Sequence, residues 1–424
     1  MLYYLVRPIT YLGFLAFCKK IYLSSSQPLP KHRPVILASN HPTAFLEPCI
    51  MASFTWRPLH YLVRGDFFRH PFYRKLMLNL HLIPIYRSTN ASFSELKKNM
   101  KLMEIIGEKL NENVTLMILV EGSASVQKGL RPLQTGMAKM AFDYYEKYGR
   151  DDLLVVPVGA NFDDPTQWRM TPMIHLDEGL PLANYIETYQ KNRKQAIQQL
   201  MQDVQQGMRR NIIHVEHAAD EELVEQQLRM HRAGLQIPTF PIVNRDRARL
   251  AKEIAVADYI NQMDENSKAE TKTKTNHYFE QLALHSLKDA TLVNDTTWWR
   301  LPLLLIGFIP FLIGFLCNAL LPIVGKQIAK RRITQKIQYL MPIAWGIANL
   351  GYVLYWIILM TIAILVGQWW LIVFVFCLPL LGYFSIIYLE TFDRWRQQYR
   401  YRKLSIEQRN QLHEARTSCF LDVI

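Results

Sequence analysis

Pro34-Val35-Ile36-Leu37-Ala38-Ser39-Asn40-His41-Pro42-Thr43-Ala44-Phe45-Leu46-Glu47-Pro48 sets the reading of the whole chain. It opens as an apolar run without alternation, which is the pattern of a strand buried on both faces of a sheet. It then breaks at once into a polar turn. Four runs of similar texture follow, at Leu59-His60-Tyr61-Leu62-Val63, Leu82-Ile83-Pro84-Ile85-Tyr86, Thr115-Leu116-Met117-Ile118-Leu119-Val120 and Leu153-Leu154-Val155-Val156-Pro157-Val158. Helical patterns at 92–111 and 133–148 separate some of them. Continuous apolar strands alternating with helices predict an α/β fold, a mostly parallel sheet flanked by helices, over residues 31–182.

Outward from that domain the texture changes. Residues 1–30 hold an apolar stretch broken by Arg7 and closed by Lys19 and Lys20, then a Ser/Pro-rich segment. Charge after the apolar run, with no small-residue cleavage site, argues against a secretory signal. A helix in the headgroup layer followed by a linker is expected instead. Residues 183–297 are rich in Gln, Lys, Arg and Glu, with apolar residues at helical spacing (Ile197, Leu200, Met201, Val204, Met208), and predict a helical accessory region. His214 and His217 are spaced i,i+3 there, but no recognised metal-ligand spacing completes the pair.

Residues 298–392 predict an α-helical membrane domain. The stretches 301–324, 341–366 and 369–389 each exceed the roughly 18–20 apolar residues that cross a bilayer core, and Trp298, Trp299, Trp369 and Trp370 mark interfaces. Basic clusters lie at Lys326–Lys336 and again in the tail 393–424, from Arg394 to Lys403. By the positive-inside rule both belong on the cytoplasmic side, together with the catalytic domain. Stretches 341–366 and 369–389 then cross the bilayer. The stretch 301–324 enters and leaves by one face, with its break expected at Pro310.

The net charge of +13 calls for an anionic partner, and the apolar stretches make that partner membrane lipid. No helix-turn-helix pattern or aromatic-interleaved basic strand points to nucleic acid. Five cysteines without CxxC spacing suggest neither a disulfide framework nor a zinc site.

Four segments carry chemistry. Asn40 to Pro48 follows a buried strand, so it lies at a carboxyl end, where open α/β sheets place ligands. Pro42 keeps His41 out of a helix, and Thr43 can cap a helical turn bearing Glu47. A carboxylate there can hold the imidazole in one tautomer and leave the other nitrogen to take a hydroxyl proton. The second segment, Leu82 to Ser88, delivers Arg87 at a strand exit. The third is Val120-Glu121-Gly122-Ser123-Ala124-Ser125, also at a strand exit, with Lys128 and Arg131 as phosphate partners beyond it. The fourth is Val155-Val156-Pro157-Val158-Gly159, a strand expected to line an acyl site. No Gly-x-Ser-x-Gly elbow is present.

In order and spacing these four blocks resemble the motifs of the phospholipid/glycerol acyltransferase superfamily, over residues 34 to about 182. The first block is most similar to the glycerol-3-phosphate/dihydroxyacetone-phosphate acyltransferase branch, which has five residues between histidine and acid. The resemblance implies His41 as general base and Glu47 as its orienting carboxylate. It implies Arg87 on the acceptor phosphate, with Glu121, Gly122 and Ser123 shaping the acceptor site beside Lys128 and Arg131, and Pro157 in the acyl-donor region. It further implies an acyl-CoA or acyl-carrier-protein donor, no metal or other cofactor, and glycerol-3-phosphate or 1-acylglycerol-3-phosphate as acceptor. The chain departs from the family pattern twice. Glu47 stands for the usual aspartate, and Ser123-Ala124-Ser125 stands where many members carry an arginine. A catalytically degenerate fold serving as a membrane lipid-binding scaffold is the other reading.

Overall fold

The computed structural model describes residues 2–85, 103–235, 237–294, 300–332 and 336–423. Its strands are β1 (Ile21–Ser25), β2 (Val35–Ser39), β3 (Leu59–Arg64), β4 (Leu82–Ile85), β5 (Thr115–Leu119), β6 (Leu154–Phe162), β7 (Pro172–Leu176), β8 (Leu180–Pro181) and β9 (Val243–Asn244). They form one sheet in the order β4-β3-β5-β2-β6-β7-β1-β9, with β8 beside β6. Every pairing is parallel except β6 with β7 and β6 with β8. The five strands expected from the sequence are β2 to β6. Of the expected helices, Gly136–Tyr148 forms and 103–111 is helical, while 92–102 lies outside the described residues.

The described residues divide into two compact units. The first holds the sheet and comprises residues 1–213, 240–251 and 335–342. Its core joins Ile36, Ala38, Leu116, Ile118 and Val155 from the sheet to Phe142, Tyr144, Leu200, Val204 and Met208 from the helices Gly136–Tyr148 and Arg193–Arg209. Each of the buried aliphatic, methionine and phenylalanine side chains larger than alanine contributes roughly 1.5–3 kcal/mol. This unit therefore reaches past residue 182, because the helical spacing at Leu200, Val204 and Met208 is an apolar face spent on the sheet. It also takes in β1, where a linker was expected. Ile21 and Leu23 are fully buried while the serines pair along β7, from Tyr22 opposite Met173 to Ser25 opposite Leu176.

The second unit comprises residues 214–239, 252–334 and 343–424. One cluster packs Met230, Tyr278 and Leu282 against Leu412 and Cys419 of the helix Ile406–Cys419, which opens on a capping box between Ser405 and Gln408. Arg416 Nε donates to buried Asp289 Oδ1 at 2.8 Å, and the Tyr278 hydroxyl donates to the same oxygen. The C-terminal segment is thus folded helix rather than a plain basic tail.

Three helices of this unit are long and apolar enough to cross a membrane: Arg300–Asn318, Ile337–Val366 including its short 3-10 start, and Trp369–Arg402. Pro310 does not break the first of them. That helix runs through it and is interrupted at Ala319, before a further helix at Leu320–Arg332. Proline removes a single backbone donor, and neighbouring helices can make good such losses. On either side of Pro310, Tyr388 and Ser385 donate across to the carbonyls of Leu304 (2.9 Å) and Phe311 (3.1 Å) and hold the helix against its neighbour.

Candidate active site

β2 lies at the centre of the first unit, between β5 and β6, with all three strands parallel. Ser39 is level with Leu119 on one side and Val158 on the other. β2 and β5 therefore end level with each other and their loops leave the sheet together, while β6 runs on beside them to Phe162, and chain connections diverge to either side of β2. Such a switch point is where open parallel sheets hold ligands.

Asn40 fixes the first loop. Its side-chain amide exchanges two hydrogen bonds with the main chain of Ala160 on β6, donating at 2.9 Å and accepting at 2.7 Å. His41 follows, with 13% of its side chain exposed. Its Nδ1 lies 2.5 Å from Oε1 of Glu47, which is completely buried. Glu47 sits in the first turn of the helix Leu46–Phe54, where the helix dipole favours negative charge. Thr43 ties the pair down. Its hydroxyl donates to Glu47 Oε2 and accepts the Leu46 N–H at 3.0 Å. The turn expected from Pro42 is present; the N-cap position is Phe45, without a side-chain cap, and Thr43, two residues before it, satisfies the first helical N–H. With Nδ1 committed to a carboxylate, Nε2 is the nitrogen available to accept a proton.

The third block supports His41 from beneath. Glu121 is buried and its carboxylate is fully engaged. Oε2 accepts the His41 main-chain N–H at 2.8 Å and the Arg131 guanidinium at 2.7 Å, and Oε1 accepts the Arg131 N–H at 2.9 Å. Ser125 N–H donates to the His41 carbonyl at 3.0 Å. Arg131 also donates to the Ser123 hydroxyl at 2.8 Å and to its carbonyl. Glu121 therefore holds two loop backbones and neutralises Arg131. Gly122 has φ +73°, a left-handed conformation that glycine adopts without steric cost.

A shallow open cleft lies beside this loop, with Asn40, Pro42, Glu121, Lys128, Ala160 and Phe162 among its lining, which includes neither His41 nor Glu47. Lys128 Nζ lies 3.3 Å from the Phe162 carbonyl. Pro157 is buried in β6, with its ring against Gly207, while the cleft is lined further along the same strand, at Ala160 to Phe162. Arg87 lies outside the described residues. The role of Asn40 is not visible in the sequence, because its partner Ala160 lies 120 residues away. Among the described residues no group of three His, Cys, Asp or Glu side chains gathers to hold a metal.

No curated protein sequence matches this chain. A solved structure, the 1-acyl-sn-glycerophosphate (LPA) acyltransferase PlsC from Thermotoga maritima, is similar at 14% identity over 48% of this chain and 79% of that one, with a TM-score of 0.35. Residues 20–161, a third of the chain, match the model of the Acyltransferase family. That stretch holds β1 to β5, most of β6 and the whole His41–Glu47–Glu121 arrangement, and the match supports acyltransferase chemistry for this part of the molecule.

Proposed function

We propose that this chain is a membrane-bound O-acyltransferase that moves a fatty acyl group from a thioester, acyl-CoA or acyl-carrier-protein, to glycerol-3-phosphate or 1-acylglycerol-3-phosphate. The observation that carries the reading is the buried Glu47 on His41 Nδ1, inside a segment that matches an acyltransferase family. His41 Nε2 takes the proton of the acceptor hydroxyl as its oxygen attacks the thioester carbonyl. The tetrahedral adduct collapses, the C–S bond breaks, and the imidazolium returns the proton to the departing thiolate. Glu47 holds the ring and balances its transient charge.

Arg87 is the proposed partner of the acceptor phosphate, since a guanidinium can bind two of its oxygens at once. Arg131 is less suited to that task, because Glu121 already occupies its charge. Lys128, beside the cleft, is a second candidate. The five-residue spacing between His41 and Glu47 favours the glycerol-3-phosphate branch over the lysophosphatidate one. The membrane helices and the basic clusters favour an inner or plasma membrane, with the chemistry on the cytoplasmic side where acyl thioesters are made.

The deciding experiment offers purified protein a labelled acyl donor with glycerol-3-phosphate and 1-acylglycerol-3-phosphate separately. Product with one acceptor identifies it. No product with either, in protein shown to be folded, sinks the enzyme reading in favour of the lipid-binding scaffold.

A further inference from the structure

The two loops that build the site are tied together by a residue far outside the family match. Gln338 lies in the 3-10 turn Ile337–Tyr339, immediately before the apolar helix Leu340–Val366, and belongs to the first unit. Its main-chain carbonyl accepts the N–H of Ala44 at 3.1 Å, between His41 and Glu47. Its side-chain Nε2 donates to the carbonyl of Ala124 at 3.2 Å, in the loop from Glu121 to Ser125. Those loops also meet at the His41 backbone, through Glu121 and the Ser125 N–H. Gln338 adds a third tie on the Ala44 and Ala124 side.

We infer that Gln338 is a positioning residue for acyl transfer, setting the gap between the His41–Glu47 loop and the Glu121–Ser125 loop. This rests on the acyltransferase reading above. Main-chain groups near a reacting centre do little by themselves, but their separation sets where the imidazole stands relative to a bound hydroxyl. Misplacement by about 1 Å is enough to cost rate rather than binding. Its side chain is hydrogen-bonded to the Ala124 carbonyl rather than to His41 or Glu47, so it acts through the loops. The catalytic arrangement thus includes a residue 177 positions beyond the last one matched by the family model.

The test uses the full-length protein. Gln338→Met keeps the length of the side chain and removes the donor. Its kcat should fall about two- to tenfold, the worth of one neutral hydrogen bond, while the KM of donor and acceptor stay within twofold and the unfolding temperature is unchanged. Gln338→Lys restores a donor of similar reach and should recover part of kcat. An unchanged kcat in Gln338→Met, or a loss matched by a lower unfolding temperature and not relieved by lysine, overturns the role. Ala44→Cys with Gln338→Cys supplies a readout free of activity, in which mild oxidation should join the two peptides. If that link forms but unmodified protein turns over no acceptor, the acyl-transfer reading has failed and this role with it, while the contact stands. If turnover is normal and no link forms, the positioning inference alone is wrong.

Discussion

The two units hold their parts together by different means. In the α/β unit, large aliphatic and aromatic side chains meet in a continuous core, and the polar groups buried with it, such as Arg57, Asn161 and His175, are hydrogen-bonded. In the second unit the long apolar helices turn most of their large side chains outward: Leu305, Ile306, Leu316 and Leu365 are 68–81% exposed. What meets inside is a small apolar cluster around Val375 and Leu378, joined by close backbone approaches and polar contacts. A Cβ on Gly314 would come within 2.3 Å of the Leu381 carbonyl oxygen, and one on Gly325 within 2.7 Å of that of Ala344. Tyr352 donates to Asn318 at 2.6 Å and Trp356 to the Val375 carbonyl at 3.0 Å. Removing apolar surface from water drives the first kind of packing. In lipid that drive is absent, so backbone approach and hydrogen bonds carry the second.

The comparison breaks outright if the apolar helices do not sit in lipid as their length and composition predict, and that outcome is all-or-none. Asn318 meets Tyr352 and Gly382, each about fifteen residues from the Gly367 turn, or roughly 22 Å of helix short of it. The chain then turns at Ala319, and Gly325 packs on Ala344 and Ala348, near the start of the helix Leu340–Val366 and farther from that turn. A segment from Arg300 to Arg332 that enters and returns by one face, with its bend at Ala319, is the arrangement these contacts predict. Cysteines placed at Leu301 and Lys330, with Cys317 and Cys377 replaced, should label from the same side of sealed vesicles. Labelling from opposite sides means a straight crossing.

Next in size is the effect of His41→Ala. It should lower turnover on the order of 10²–10⁴-fold, as expected for loss of a general base, and leave the folded membrane-bound population unchanged. Turnover above about a tenth of the original, outside that range, excludes His41 as the base. Glu47→Gln keeps the shape of the buried site but loses the charge and should also fall strongly. Glu47→Asp should retain much of the rate. An inactive Asp variant beside an active Gln variant would show that Glu47 does not orient the ring.

A matched pair of glycines sharpens the contrast. A Cβ on Gly159 would stand 2.1 Å from the Asn211 carbonyl oxygen, inside the α/β unit, and the Gly314 approach is its counterpart among the apolar helices. Overpacking of this kind costs typically about 1–3 kcal/mol, and backbone on both sides leaves little room to yield. Gly159→Ala should lower the unfolding temperature of the α/β unit and its activity together. Gly314→Ala should loosen protease protection of the apolar helices with a smaller effect on turnover. Equal losses of activity in both would show that the units do not fail separately.

Local pattern told most about what is local. Unbroken apolar runs marked β2 to β6, and the polar break after β2 marked the loop with His41 and Glu47. Partners distant in sequence were hidden. Nothing in Ser24-Ser25 signals a strand, because β1 exists only by lying beside β7, about 150 residues on, and β9, about 220 on. Arg131 reads as a free cation until Glu121 is seen beneath it. Pro310 predicts a break because proline costs a helix one hydrogen bond, whereas the interruption lies at Ala319. Gln338 carries no signal of its own, being one amide before an apolar stretch.

The smallest expected effect is a pH dependence seated in the α/β unit. His60 on β3 stacks on His81 (ring centroids 4.4 Å apart), which stacks in turn on Tyr3 of the helix Leu2–Phe17 (4.4 Å). His175 on β7 has Ser24 Oγ 2.8 Å from Nδ1 and Ser26 Oγ 3.1 Å from Nε2. Burial pushes both His60 and His175 down to about 4, aided at His60 by His81 and Lys109 and at His175 by Arg247, with Glu112 and Asp177 opposing. An unfolded histidine titrates near 6.5. Above that value both states are neutral and the contribution to stability is complete. Between 6.5 and 4 the unfolded chain binds protons that the folded one refuses, so stability falls as pH falls, and below 4 the loss levels off. Unfolding temperature in detergent should therefore decline between pH 7 and 4.5. His60→Gln and His175→Asn should each flatten that decline, by at most about 1.4 kcal/mol per pH unit for one proton. Protease protection of the apolar helices, followed in the same samples, should not share the slope. A decline that both variants leave untouched assigns the titration to other groups.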